Sequence, residues 1–263
     1  MIGLFLGNNN LPLEILRSLK KKKINFFILD LTKEKKFKNL KKAFSVNIGQ
    51  FGKIINLIKS NKCNKVIFAG NIVKPRISSL KLDLKGFYYL PRIVKASKLG
   101  DAAILKELIK ILQENKIKVL KLNKFNPELT LTSGNYTKIK PNKLDLIEIK
   151  KGINFLNKSN SYNHTQAAVI RNNKIISYEK RSGTQSMLMN IKKTKNKKGF
   201  LIKLPKKKQD LRVDLPTIGF DTVKKCNQIG LKGIILKNKQ NIILDKKKII
   251  KYSNKNKMTL HII

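Results

Sequence analysis

Apolar residues along this chain come in short bursts, and their spacing predicts the elements. Residues 2–6 form a continuous apolar run, residues 7–10 a polar turn, and residues 11–22 carry Leu13, Leu16 and Leu19 at helical spacing. A buried strand, a turn and a helix are expected in that order. A second strand follows at 24–29, a helix opened by Gly49-Gln50 at 51–58, and a strand at 65–69 that ends on Gly70-Asn71. Residues 102–115 return to helical spacing and 117–122 to an extended pattern. Alternation of this kind points to a mostly parallel sheet covered by helices. The pattern breaks over 127–143, where Gly134-Asn135 and Pro141-Asn142 mark turns. We place a domain boundary there, dividing the chain into 1–133 and 134–263. Beyond it, 144–156 reads as a helix, and 167–170 and 175–178 flank Asn172-Asn173 as a hairpin would. Strands at 199–204, 233–236 and 242–244 and a helix at 222–228 complete a second mixed α/β region without an internal repeat.

Composition constrains the function. With 263 residues and 41% hydrophobic residues, the chain can bury two cores. The formal charge of +44 invites a nucleic-acid reading. However, the lysines are scattered through every region, with short runs at 20–23, 206–208 and 246–248, and no aromatic RNA-binding motif interleaves them. A solvated basic surface, or attraction to anionic lipid headgroups, accounts for them better, and no nucleic-acid partner is expected. Cys63 and Cys226 suggest neither a disulfide framework nor a zinc site. The opening MIGLFLGNNNLP is unlike a signal peptide, and no stretch approaches the ~20 apolar residues of a membrane span.

Acidic residues are scarce, 15 in all, so their clustering is informative. Asp210, Asp214 and Asp221 fall close together beside Lys203, Lys206 and Arg212. Such a mixture suits a divalent cation held against a phosphate, and equally suits a surface loop of ion pairs. Gly7-Asn8-Asn9-Asn10 follows a strand and opens a helix, where an anion could bind, but it lacks a dinucleotide fingerprint and also reads as a plain turn. Gly49-Gln50-Phe51-Gly52, Gly70-Asn71 and Gly100-Asp101 sit at other strand ends or helix starts, on the edge where such sheets bind ligands. Asp101 has helix capping as its ordinary role and a catalytic role as the alternative. Thr184, after Gly183, has the same two readings, with phosphate or sugar contact as its functional one. His164 and His261 have no partner motif.

These motifs together resemble the UDP-2,3-diacylglucosamine pyrophosphatases of the LpxI type, which act in lipid A biosynthesis. The collinear set comprises Gly3-Leu4 with Gly7 and Leu11-Pro12; Gly49-Gln50-Phe51-Gly52-Lys53; Phe68-Ala69-Gly70-Asn71 with Pro75; Gly100-Asp101; Thr165-Gln166-Ala167; Glu179 with Gly183-Thr184 and Met187; and Gln209, Arg212 and Asp214-Leu215-Pro216-Thr217-Ile218-Gly219. The resemblance implies an N-terminal Rossmann-like parallel-sheet domain and a C-terminal mixed α/β domain with a ligand cleft between them. It also implies a magnesium-dependent hydrolysis of UDP-2,3-diacylglucosamine to UMP and 2,3-diacylglucosamine 1-phosphate. Asp214 is carried over as catalytic residue and metal ligand, with Asp101 in support. Gly7, Asn8, Gly70, Asn71, Gly183, Thr184, Lys203, Gln209 and Arg212 are the substrate-binding candidates. A cytoplasmic protein, peripheral on the inner membrane, is expected.

The chain departs from the family pattern at three acidic positions, now Ala102, Asn163 and Gln185. Those replacements motivate an alternative, a non-catalytic protein that binds the lipid or a UDP-sugar. The acyl chains would need an apolar wall. Residues 87–90 could provide one, with an ordinary core segment as the other reading.

Overall fold

The computed structural model describes residues 1–71, 80–159, 165–206 and 209–263. The sequence expectations at Pro75, Asn163 and His164, and part of the lysine run at 206–208, lie outside the described residues. The chain separates into two compact units, Met1–Asn126 and Pro127–Ile263.

The first unit is built on a five-stranded parallel sheet of β1 (Ile2–Leu6), β2 (Phe26–Asp30), β3 (Ala43–Ser45), β4 (Lys65–Ala69) and β5 (Lys118–Val119), ordered β3-β2-β1-β4-β5. Every residue of β1 is buried, as a strand covered on both faces requires. Helices α1 (Leu11–Lys21), α2 (Phe51–Ser60), α3 (Leu84–Lys98) and α4 (Asp101–Glu114) connect the strands. Helix α1 forms as expected and buries Leu16 and Leu19, but its inward face runs through Leu11, Pro12 and Ile15, and Leu13, expected on that face, is exposed. Strand β3 and helix α3 were not anticipated. In α3, Pro91 lies inside the helix and several apolar residues face outward, so the helical period is obscured.

The second unit is organised by a six-stranded mixed sheet ordered β6-β13-β11-β9-β7-β8. Its strands are β6 (Gly134–Asn135), β7 (Ala167–Arg171), β8 (Lys174–Tyr178), β9 (Phe200–Lys203), β11 (Gly233–Leu236) and β13 (Thr259–Ile262). Strands β9, β11 and β13 run parallel, whereas β6, β7 and β8 each pair antiparallel with a neighbour. Asn172 and Asn173 both have positive φ, 49° and 62°, which is the twist a two-residue hairpin turn needs between β7 and β8. A small parallel pair, β10 (Thr217–Ile218) with β12 (Ile242–Ile243), holds the Asp214 block beside this sheet. Helices α5 (Lys143–Ser159), α6 (Gly183–Met189), α7 (Phe220–Gln228) and α8 (Lys246–Lys255) complete the unit. One core packs Val169, Leu201, Ile234 and Leu260 with Leu188, Val223 and Ile249 of α6, α7 and α8; the other packs Ala168, Ile170, Phe200 and Ile202 with Ile149 and Leu156 of α5.

Candidate active site

In the first unit the strand order reverses between β1 and β4, and open α/β sheets bind ligands where it reverses. The turns after those two strands meet there. The Asn8 N–H donates to the Asn71 carbonyl at 2.7 Å, the Asn71 N–H donates to the Asn8 carbonyl at 3.0 Å, and the Gly7 N–H donates to the Ala69 carbonyl at 2.9 Å. Close backbone approach explains both glycines. A Cβ at Gly7 would stand 2.4 Å from the Asn71 carbonyl oxygen; one at Gly70, where φ is 92°, would stand 2.6 Å from that of Asn8. Asn8 Oδ1 is buried and accepts no hydrogen bond among the described residues. Gly7, Asn8, Gly70 and Asn71 are thus brought together as one constellation, predicted separately as two turns.

Asp101 belongs to the same unit but does not cap α4. Gly100 is the N-cap, with φ of 106°, and Asp101 is the first helical residue, exposed and in the turn where a negative charge favours the helix dipole. Ala102 is the next residue of that turn.

The second unit gathers its motifs at one edge of the sheet. Strands β8, β9 and β11 end there and β7 begins there, because Ala167 pairs with Lys203 and Leu236 with Lys203 on the other side. Lys203 ends β9 with only 7% of its surface exposed. Its Nζ donates to Thr184 Oγ1 at 2.7 Å, and that hydroxyl donates to Glu179 Oε1 at 2.8 Å. Glu179 is fixed in turn by the Gln166 N–H on Oε2 and by Thr165, whose hydroxyl donates to the Glu179 carbonyl. Below Lys203, buried Asn241 donates to the Lys203 carbonyl at 3.1 Å. Thr184 therefore does not cap α6, whose N-cap is Ser182; its hydroxyl is committed between a cation and a carboxylate.

Burial pushes the Lys203 ammonium below its ordinary pKa of 10.5, while the nearby charges of Glu179 and Asp214 oppose that shift. Cys226, fully buried beside it, is pushed strongly upward by the same burial and stays a neutral core thiol. Neither Glu179 nor Asn241 stands among the sequence-predicted site residues. Glu179 carried a signal, as a scarce acid four residues before Gly183; Asn241 carried none.

The three clustered aspartates have three different situations. Asp210 binds Arg212 through both carboxylate oxygens, at 2.7 and 2.9 Å for the shortest contacts, so this pair is a local loop clamp. Asp221 lies in the first turn of α7. Asp214 closes the turn from Asp210, its N–H donating to the Asp210 carbonyl at 3.0 Å, and its charge reaches Lys203. Gln209 is buried and accepts from the Lys206 N–H, but its Nε2 donates to no group among the described residues. A buried donor without a partner is costly, and a bound polar ligand would satisfy it. His261 lies on β13, not in this cluster.

Comparison with known proteins identifies the family of both units. The LpxI N-terminal domain model matches residues 1–129, and the LpxI C-terminal domain model matches residues 132–261. The UDP-2,3-diacylglucosamine pyrophosphatase LpxI of Caulobacter vibrioides is 29% identical over 213 residues, covering 78% of this chain and 76% of that protein. With both domain models matched along nearly its full length, the chain belongs to the LpxI family.

Proposed function

We propose that this protein hydrolyses UDP-2,3-diacylglucosamine to UMP and 2,3-diacylglucosamine 1-phosphate at the cytoplasmic face of the inner membrane. The observation that carries the reading is the second unit's sheet edge. A buried ammonium lies there with the Asp214 carboxylate of a family motif within its electrostatic reach, and the same motif block carries an orphaned amide donor, Gln209 Nε2. A diphosphate supplies the acceptor oxygens that such donors lack. Thr184 and Glu179 fix the Lys203 ammonium, leaving its remaining N–H donors for phosphate oxygens. Gln209 Nε2 donates to a phosphate or sugar oxygen, and Asp214 accepts a hydrogen bond from the attacking water and orients it. Water adds to the α-phosphorus, and the bond from that phosphorus to the bridging oxygen breaks. UMP keeps the water oxygen, and the bridging oxygen leaves with the lipid phosphate.

A divalent cation fits this donor set in one way. Among the described residues no three histidine, cysteine, aspartate or glutamate side chains gather as a cage. Magnesium takes few protein carboxylates and completes its shell with water and phosphate oxygens. Asp214 would hold it, and a bound cation would supply positive charge against the diphosphate. Turnover in water labelled with heavy oxygen tests the reaction. The label is expected in UMP, with release lost to excess chelator and restored by magnesium; label in the lipid phosphate would overturn the site of attack.

A second reading, binding without turnover, is favoured by Ala102 and by Gln185, which is exposed on α6 where the family is acidic. It predicts tight binding of the UDP-lipid with no UMP.

A further inference from the structure

Helix α3 turns its apolar side chains the wrong way for a core helix. Gly86, Tyr89 and Ala96 are buried, with the Tyr89 ring edge-on to Phe51 at 5.6 Å. By contrast Leu84 is 90% exposed, Phe87 63%, Tyr88 73% and Leu99, which caps the helix, 80%. Within residues 87–90, Tyr89 therefore belongs to the core and Leu90 is half-buried, whereas Phe87 and Tyr88 face solvent. At about 100° per residue, Leu84, Phe87, Tyr88 and Pro91 share one outward stripe, and Lys95 and Lys98 continue it along the last turns.

The charges around the stripe are one-sided. Lys81 and Lys85 stand at its start, and among the described residues the Lys85 ammonium meets only the neutral Asn115 side chain, at 3.4 Å. Asp83, the nearby acid, spends its carboxylate on the N–H groups of Lys53 and Gly86, at 2.9 and 2.8 Å. Arg92 turns aside to Glu107 and Glu114. An exposed apolar stripe framed by lysines, on a chain of formal charge +44, matches an anionic bilayer in both respects. A second copy docked here about a twofold axis would bring Lys85, Lys95 and Lys98 against like charges.

We infer that the outward face of α3 is a membrane-docking surface, with Leu84, Phe87 and Tyr88 entering the headgroup boundary and Lys85, Lys95 and Lys98 pairing with anionic lipid phosphates. The inference rests on the proposed function for its purpose, since a diacylated substrate resides in a bilayer.

Sedimentation of the full chain with vesicles tests it, without UDP-lipid present. One set is phosphatidylcholine alone; in the other, about one third of the lipid is phosphatidylglycerol. Binding to the anionic set is expected, falling with salt. Leu84→Ser with Phe87→Ser should weaken it at least about tenfold, and Lys95→Gln with Lys98→Gln about twentyfold. All these side chains are substantially solvent-facing or lie on the outward stripe, so circular dichroism and thermal midpoint should stay at wild-type values. Wild-type protein that ignores anionic vesicles, or variants that bind them as wild type does, would overturn the docking surface. So would a dimer lost in the apolar variant while vesicle binding persists. UMP release from detergent-dispersed substrate reads the reaction separately: hydrolysis without vesicle binding sinks the docking alone, and vesicle binding without hydrolysis sinks the reaction alone.

Discussion

Lys203 shows how a single residue can link folding to chemistry. Its ammonium is buried at a strand end, where desolvation favours the neutral amine and the neighbouring carboxylates favour the charge. The folded pKa lies below the ordinary 10.5, so between those two values the unfolded chain binds more protons. Stability from this group is therefore lowest below the folded pKa and grows as pH rises toward 10.5. Urea unfolding of wild type and Lys203→Met across that alkaline window should show the rise in wild type and not in the variant. His261 behaves similarly near neutrality. Burial lowers its pKa from 6.5 and its Nδ1 lacks a partner among the described residues, so stability should fall as pH drops below 6.5. His261→Gln should lose less stability than wild type between neutral and mildly acidic pH, measured the same way. At this scale, sequence spacing marked Asp210, Asp214 and Asp221 alike. The family resemblance singled out Asp214, and the fold gives the physical distinction between a clamp, a first-turn residue and the aspartate whose charge reaches Lys203, because ion pairing within two residues is invisible in a count of charges.

At the level of elements, the helix ends explain both what was legible and what was hidden. Lys23, Lys62, Lys116 and Lys257 follow the C-caps of α1, α2, α4 and α8 with φ between 46° and 62°. Each lies in a Schellman motif, as the N–H of the next residue shows: Ile24 to Leu19, Cys63 to Ile58, Ile117 to Leu112 and Met258 to Ser253. Helix α7 ends the same way but with Gly230, φ of 78°. Lysine therefore occupies a position that normally announces itself as glycine or asparagine, and helix stops read from sequence lose their marker. Helix α8, KKKIIKYSNK, was missed for a related reason, since its sequence reads as a charge run. Lys116→Gly should raise stability by about 1 kcal/mol in chemical denaturation by relieving the left-handed backbone. Gly70→Ala should do the reverse and cost about 2 kcal/mol or more, because both its φ and the Asn8 carbonyl oppose a Cβ. The parallel sheet of the first unit was legible because its strands are short uninterrupted apolar runs; α3 was not, because its apolar residues face outward.

For the whole molecule, charge and family membership work at different levels. The excess of lysine says little about fold, but it sets the surface on which α3 presents its apolar stripe. No described helix is long and apolar enough to cross a membrane. Collinear motifs, rather than any one segment, made the family legible in sequence. The fold then gathered Thr165, Gln166, Glu179, Thr184 and Lys203 from separate stretches onto one sheet edge, which periodicity cannot foresee. The central claim is turnover by that edge. Its most direct test is the appearance of UMP and 2,3-diacylglucosamine 1-phosphate from UDP-2,3-diacylglucosamine, with wild type and Asp214→Asn compared at equal folded concentration. The account predicts equal amounts of the two products from wild type and a loss of rate of about hundredfold or more in Asp214→Asn with its folded signal intact. Tight binding of the substrate with neither product formed, or an undiminished rate in Asp214→Asn, would contradict it.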